Sequence, residues 1–168
     1  ETSTGFNELF EAFEQALEQR MDDIELYRQL FWNHVLTPPE LCLFGEKLVK
    51  EVPKLAFDVY LWLGNVFEAT YSMFDNHELS LEYFRKAAES KPGEITPYAE
   101  AANCYEPDLN IPPLPVLIEF LKQGVGKVAE PKTLYERLAY FYDLAGNDEM
   151  SIYFRRKLGR EPPAQTSP

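Results

Sequence analysis

The chain has 168 residues, with 16 Lys and Arg against 28 Asp and Glu, a formal charge of −12, 45% hydrophobic residues and 14% aromatic ones. That apolar content excludes a wholly disordered chain, and the length fits one domain or a short repeat array with a buried core. The acidity argues against nucleic acid, whose phosphates need clustered Lys and Arg, and against anionic membrane surfaces.

Residues Glu1 to Gly5 have neither a basic nor an apolar region, so no signal peptide is expected and the expected location is cytoplasmic. The longest apolar stretch, 55–66, is interrupted by Asp58, Gly64 and Asn65 and falls short of the roughly 18 residues a membrane helix needs, so no membrane insertion is expected.

Helical periodicity runs almost throughout. Phe6, Leu9, Phe10, Phe13, Ala16 and Leu17 predict a helix over 5–20. Asp22 or Asp23 caps a second, carrying Ile24, Tyr27, Leu30, Phe31 and Leu36; His34 would lie near its end, in favourable contact with the helix dipole. Thr37-Pro38-Pro39-Glu40 is a capping box that opens a helix to about Val52. From Pro53 a further helix carries Leu55, Val59, Tyr60, Leu63 and Phe67. Asn76 caps the next, with a solvated His77 in its first turn and an end at Ser90. Thr96-Pro97 opens another. Glu106-Pro107 and Pro112-Pro113-Leu114-Pro115 form a rigid non-helical connection. Leu117, Ile118, Phe120 and Leu121 mark a helix ending near Lys127. One more starts at Pro131 and breaks at Gly146. Asn147 or Asp148 caps the last, with Ile152, Tyr153, Phe154 and Leu158. The tail 160–168 has three prolines and is expected to be disordered. No pair of alternating runs flanks an Asn-Gly or Asp-Gly turn, so the fold class is all-α, with about nine helices.

The sequence also repeats itself. Tyr60-Leu-Trp-Leu-Gly64-Asn-Val-Phe67, Tyr98-Ala-Glu-Ala-Ala102-Asn-Cys-Tyr105 and Tyr135-Glu-Arg-Leu-Ala139-Tyr-Phe-Tyr142 share one pattern: aromatic, x, x, apolar, small, x, x, aromatic. The small residues lie 38 and 37 positions apart, and a second helix follows each octet. A small side chain lets the paired helix approach, the aromatics fill the gap to the next pair, and stacking buries both faces.

These octets, with Ser80, Phe84, Ala87 and Pro92 after the first and Gly146, Ser151 and Phe154 after the third, resemble the tetratricopeptide repeat family. Sel1-like repeats are a neighbouring alternative, suited by Arg85-Lys86-Ala87-Ala88. The resemblance implies an α-α superhelix of stacked antiparallel helix pairs over 5–159. Helix 5–20 would be followed by a degenerate pair at 22–53, lacking the small residue at the expected place, and by repeats at 57–92, 95–130 and 131–159. The first repeat needs about four extra residues near Thr70–Phe74, expected as one more turn on its first helix.

The resemblance further implies a concave groove lined by first helices. Its side chains would be Asp58, Leu61, Trp62, Asn65 and Glu68, then Ala99, Glu100, Asn103 and Glu106, then Thr133, Glu136, Arg137, Tyr140 and Asp143. Six carboxylates face one Arg, a lining that would attract a basic or amphipathic segment. Asn65 and Asn103 could hold a peptide backbone through their amides, and Trp62 could anchor a partner or pack between units. The family's carboxylate clamp does not fit, because Leu61 stands where a Lys is needed and Glu100 where an Asn is needed.

Enzyme chemistry is not expected. Gly124-Val-Gly126-Lys127 lacks the leading Gly and the Ser/Thr of a phosphate loop. His34 and His77 stand 43 residues apart and form no metal pattern, and neither a metal nor another cofactor is expected. Cys42 and Cys104 read as small buried hydrophobes. Pairs such as Glu11/Glu14 are solvated faces, and Arg155-Arg156-Lys157 suits a helix C-terminus. The expected function is a non-enzymatic scaffold binding a protein segment in the groove. Self-association through helix 5–20 is an alternative; so is a regulatory helical domain of a larger protein, since residue 1 is not Met.

Overall fold

The computed structural model describes residues 2–32, 36–70 and 73–159; the expectations for His34 and for the tail 160–168 lie outside the described residues. Among the described residues there are nine α-helices and no strand. They are α1 (Thr2–Glu18), α2 (Ile24–Phe31), α3 (Pro38–Glu51), α4 (Ala56–Thr70), α5 (Met73–Ser90), α6 (Thr96–Asn103), α7 (Leu114–Val125), α8 (Lys132–Leu144) and α9 (Asp148–Lys157). The fold is all-α, a stack of antiparallel helix pairs.

Local signals set most helix ends. The Asp23 carboxylate accepts the Glu25 backbone N–H at 2.9 Å and starts α2. Glu40 reaches back to the Thr37 N–H at 2.8 Å and its hydroxyl at 2.7 Å, bonds that hold the Glu40 carboxyl below its ordinary value. Gly146 takes φ +69°, a left-handed conformation open to glycine, and closes α8; Asn147 then caps α9 by accepting the Met150 N–H at 3.1 Å.

Helix boundaries differ from the sequence reading at several points, two of which bear on the repeat. Helix α2 stops at Phe31, and Leu36 is buried outside any helix, ahead of the Thr37 cap. Helix α5 begins at Met73, so Asn76 lies inside it rather than capping it. The extra turn of the first repeat accordingly falls on the second helix. Helix α5 starts seven residues before Ser80, whereas α9 starts three before Ser151.

Two apolar cores lie along the stack. One gathers Leu9, Phe13, Tyr27, Phe44, Leu48, Leu63 and Phe67; the other gathers Phe84, Tyr98, Leu117, Leu121, Leu134 and Phe154. Helices α4 and α5 serve both: Leu63 and Tyr83 face the first, while Leu61 and Phe84 face the second.

The repeated octets occupy repeated surroundings. Tyr60, Tyr98 and Tyr135 each pack on an aromatic ring of the following helix: Tyr83 at 5.9 Å, Phe120 at 4.8 Å and Phe154 at 5.9 Å between centroids. Phe67 and Tyr142, which close the first and third octets, return to the same Tyr83 and Phe154. The small residues are where helices come closest. A Cβ on Gly64 would stand 2.6 Å from the Phe84 ring, and Ala102 and Ala139 are buried. The degenerate pair carries a small residue elsewhere, on its second helix: a Cβ on Gly45 of α3 would stand 2.5 Å from Leu63 Cδ1 of α4. In the middle unit Gly124 of α7 performs this role beneath Tyr98, at 2.8 Å.

Gly64→Ala gains helix propensity of about 1 kcal/mol but drives a methyl group into an aromatic ring at a cost of about 1–3 kcal/mol. We expect a net fall in the urea midpoint, recovered when Phe84→Leu is added. A second comparison isolates a hydrogen bond. Buried Ser80 donates its hydroxyl to the Gly64 carbonyl at 2.9 Å, whereas buried Ser151 has no partner for its Oγ. Ser80→Ala should cost about 1 kcal/mol in urea unfolding, and Ser151→Ala should be neutral or stabilising.

Candidate functional site

The face expected to form a groove is built by α4, α6 and α8. On α4, Asp58, Leu61, Trp62, Asn65 and Glu68 recur at one-face spacing. Asn65 and Glu68 are exposed and Asp58 is half-buried. Leu61 is turned partly into the second core, and the Trp62 ring lies 5.9 Å from Phe31 of α2. Trp62 therefore packs between units, one of its two expected roles.

On α6 and α8 the structure brings three of the singled-out residues together. Arg137 donates to the Asn103 side-chain oxygen, and Asn103 Nδ2 donates to the Glu100 carboxylate at 3.3 Å. This chain of bonds ties α8 to α6. It occupies both ends of the Asn103 amide, which the sequence reading left open for a peptide backbone. The Asn65 side chain, at the equivalent place on α4, makes no hydrogen bond among the described residues and stays exposed. Tyr140 is 44% exposed on the same helix as Arg137.

The electrostatics of this face are milder than the charge arithmetic. Glu106 is not on it: α6 ends at Asn103, and Glu106 pairs through its backbone with Ile111, donating its N–H at 2.7 Å. Asp143 is ion-paired with Arg155 of α9. Carboxylates remain at Asp58, Glu68 and Glu100, with Arg137 among them.

The strongest charge cluster lies elsewhere, where α3, α4 and α5 meet. The Lys86 ammonium donates to Glu46 at 2.8 Å, pairs with Glu82 at 2.7 Å, and stands 4.6 Å from the centre of the Tyr83 ring. Partial burial disfavours its charge, but the two carboxylates outweigh that and raise its pKa above the ordinary lysine value. Tyr60 donates its hydroxyl to the other Glu46 oxygen at 3.1 Å. With every partner supplied from within the chain, the cluster joins one helix pair to the next.

His77 departs most from expectation. It is 9% exposed rather than solvated, and its Nδ1 has no hydrogen-bond partner. It lines a cleft of about 560 Å³ between α5 and the segment leading into α7. The sequence did contain a signal: His77, Leu81, Phe84 and Ala88 share one helical face, so a histidine at 77 falls on the buried stripe.

No family model matches the sequence, and no curated protein or solved structure does so either. No helix among the described residues is long and apolar enough to cross a membrane. Among the described residues no group of three or more His, Cys, Asp or Glu is placed to hold a metal ion.

The two thiols are poorly set for nucleophilic work. Burial pushes Cys104 up to about 12, with only a partial offset from Ser80. Burial likewise raises half-buried Cys42. In native protein at pH 8 we expect Cys104 to resist iodoacetamide, with full labelling only in denaturant, as read by intact mass.

Proposed function

We propose that this chain is a non-enzymatic interaction module of tetratricopeptide-like build. It holds a segment of another protein along α4, α6 and α8. One observation supports this above the others: Arg137, Asn103 and Glu100 join the exposed edges of successive helix pairs, giving a partner one continuous rigid polar surface. Asn65 offers an amide to the partner's backbone, and Tyr140 offers an exposed aromatic contact. Asp58 and Glu68 add negative charge at the α4 end, favouring a basic or amphipathic segment. The free cysteines suit a reducing compartment such as the cytoplasm.

Self-association through α1 is the second reading. Its apolar stripe is mostly spent inside the chain: Leu9, Phe13 and Ala16 are buried, and Phe13 lies 4.8 Å from Phe44. What favours this reading is the remainder of the stripe, Phe10, at 43% exposure.

The groove reading is tested by pairing Glu100→Lys with Asn103→Ala and comparing affinity-captured proteins by mass spectrometry. The expected result is loss of the partners held by the unsubstituted chain, with the helical circular dichroism intact. An unchanged set of captured proteins would remove this face from consideration.

A further inference from the structure

The cleft beside His77 lies between α5 and the connection into α7, both second helices of their pairs, and shares no residue with the α4–α6–α8 face. One wall is apolar, made by Leu81 with Ile111, Pro112 and Val116. The α5 side also carries charge. Glu78 stands towards one end and Arg85 towards the other, seven residues apart, so about 10 Å along the helix axis. Glu78 is exposed and has no ion pair among the described residues. Arg85 rests over the Phe120 ring at 5.8 Å, with no carboxylate paired to it among the described residues. Glu82, between them, is already engaged by Lys86. The buried Nδ1 of His77 is left without a partner, and a nitrogen so placed is costly to leave unpaired.

We propose that this cleft is a second binding site, taking an extended peptide segment of a partner protein that reads basic, apolar, any residue, acidic. The spacing follows from the geometry. An extended strand advances about 3.3 Å per residue, so charges three residues apart span the distance from Glu78 to Arg85. The apolar side chain fills the space against Leu81 and the proline wall. A backbone group of the segment gives His77 its missing hydrogen bond. The volume falls within the range of ordinary ligand pockets. A segment with the same charge at both ends meets repulsion at Glu78 or at Arg85, so the site selects for opposite charges at its two ends as well as by fit.

The test uses fluorescein-labelled octapeptides centred on Lys-Leu-Ser-Glu, Lys-Leu-Ser-Lys and Glu-Leu-Ser-Glu, titrated by anisotropy against the full chain. The mixed-charge peptide should bind at least about threefold tighter than either like-charge one, the scale of a single exposed ion pair. Arg85→Glu should move the preference to the Lys…Lys peptide, and Glu78→Lys should move it to the Glu…Glu peptide. Both substitutions are at exposed positions, and circular dichroism checks the fold. The His77 imidazole nitrogen signals, assigned with His77→Gln, should shift on saturation. The proposal is overturned by any of three results. These are no saturable binding at millimolar peptide, one rank order in all variants, or loss of binding on Glu100→Lys, which would place the peptide on the α4–α6–α8 face. The two sites fail separately, because partner capture on the α4–α6–α8 face does not depend on Glu78 or Arg85.

Discussion

The close approach of α4 to α5 is the constraint on which the rest of this structure depends. Gly64 has no side chain, so the Phe84 ring can lie against the α4 backbone, and Ser80 can reach the Gly64 carbonyl from the neighbouring turn. Drawn this close, the pair forms a wall with an apolar layer on each side. Leu63 and Tyr83 turn towards α1–α3, while Leu61 and Phe84 turn towards α6–α9. Neither core is closed without that wall. A chain of helix hairpins thus becomes one stack, since each pair leaves an unburied face for the next.

The polar surfaces follow from this stacking. Residues that bridge units find partners inside the chain: Lys86 with Glu46, and Arg137 with Asn103. Spacing along a helix predicts which residues share a face but not which of them are already engaged. Asn65 and Asn103 occupy equivalent places in their octets. The second is held between Arg137 and Glu100, because α8 brings an arginine within reach, while the first is left exposed. A partner would therefore meet two chemically different asparagines.

Most helix ends were legible from short-range chemistry. A capping box at Thr37, a cap at Asp23 and a glycine at 146 act within a few residues and need no tertiary partner. The errors arose where distant packing took over. Asn76 has the right residue type for a cap, but α5 extends one turn further back to Met73. Glu106 continues the i, i+3 series from Asn103, yet the helix has ended and the backbone pairs with Ile111 instead. Gly45 went unrecognised because the small residue was sought on the first helix of its pair, and the structure uses the second.

By itself the sequence determined that the chain is helical, roughly where each helix begins and ends, and that one octet recurs three times. These are consequences of periodicity, caps and side-chain size, all local quantities. Only the tertiary structure decided that Trp62 packs against Phe31, that Arg137 engages Asn103, and that Glu78 and Arg85 flank a common cleft with Pro112. The physical reason is that burial and charge pairing depend on which helix is laid over which. That choice is made by the fit of whole faces, from residues tens of positions apart.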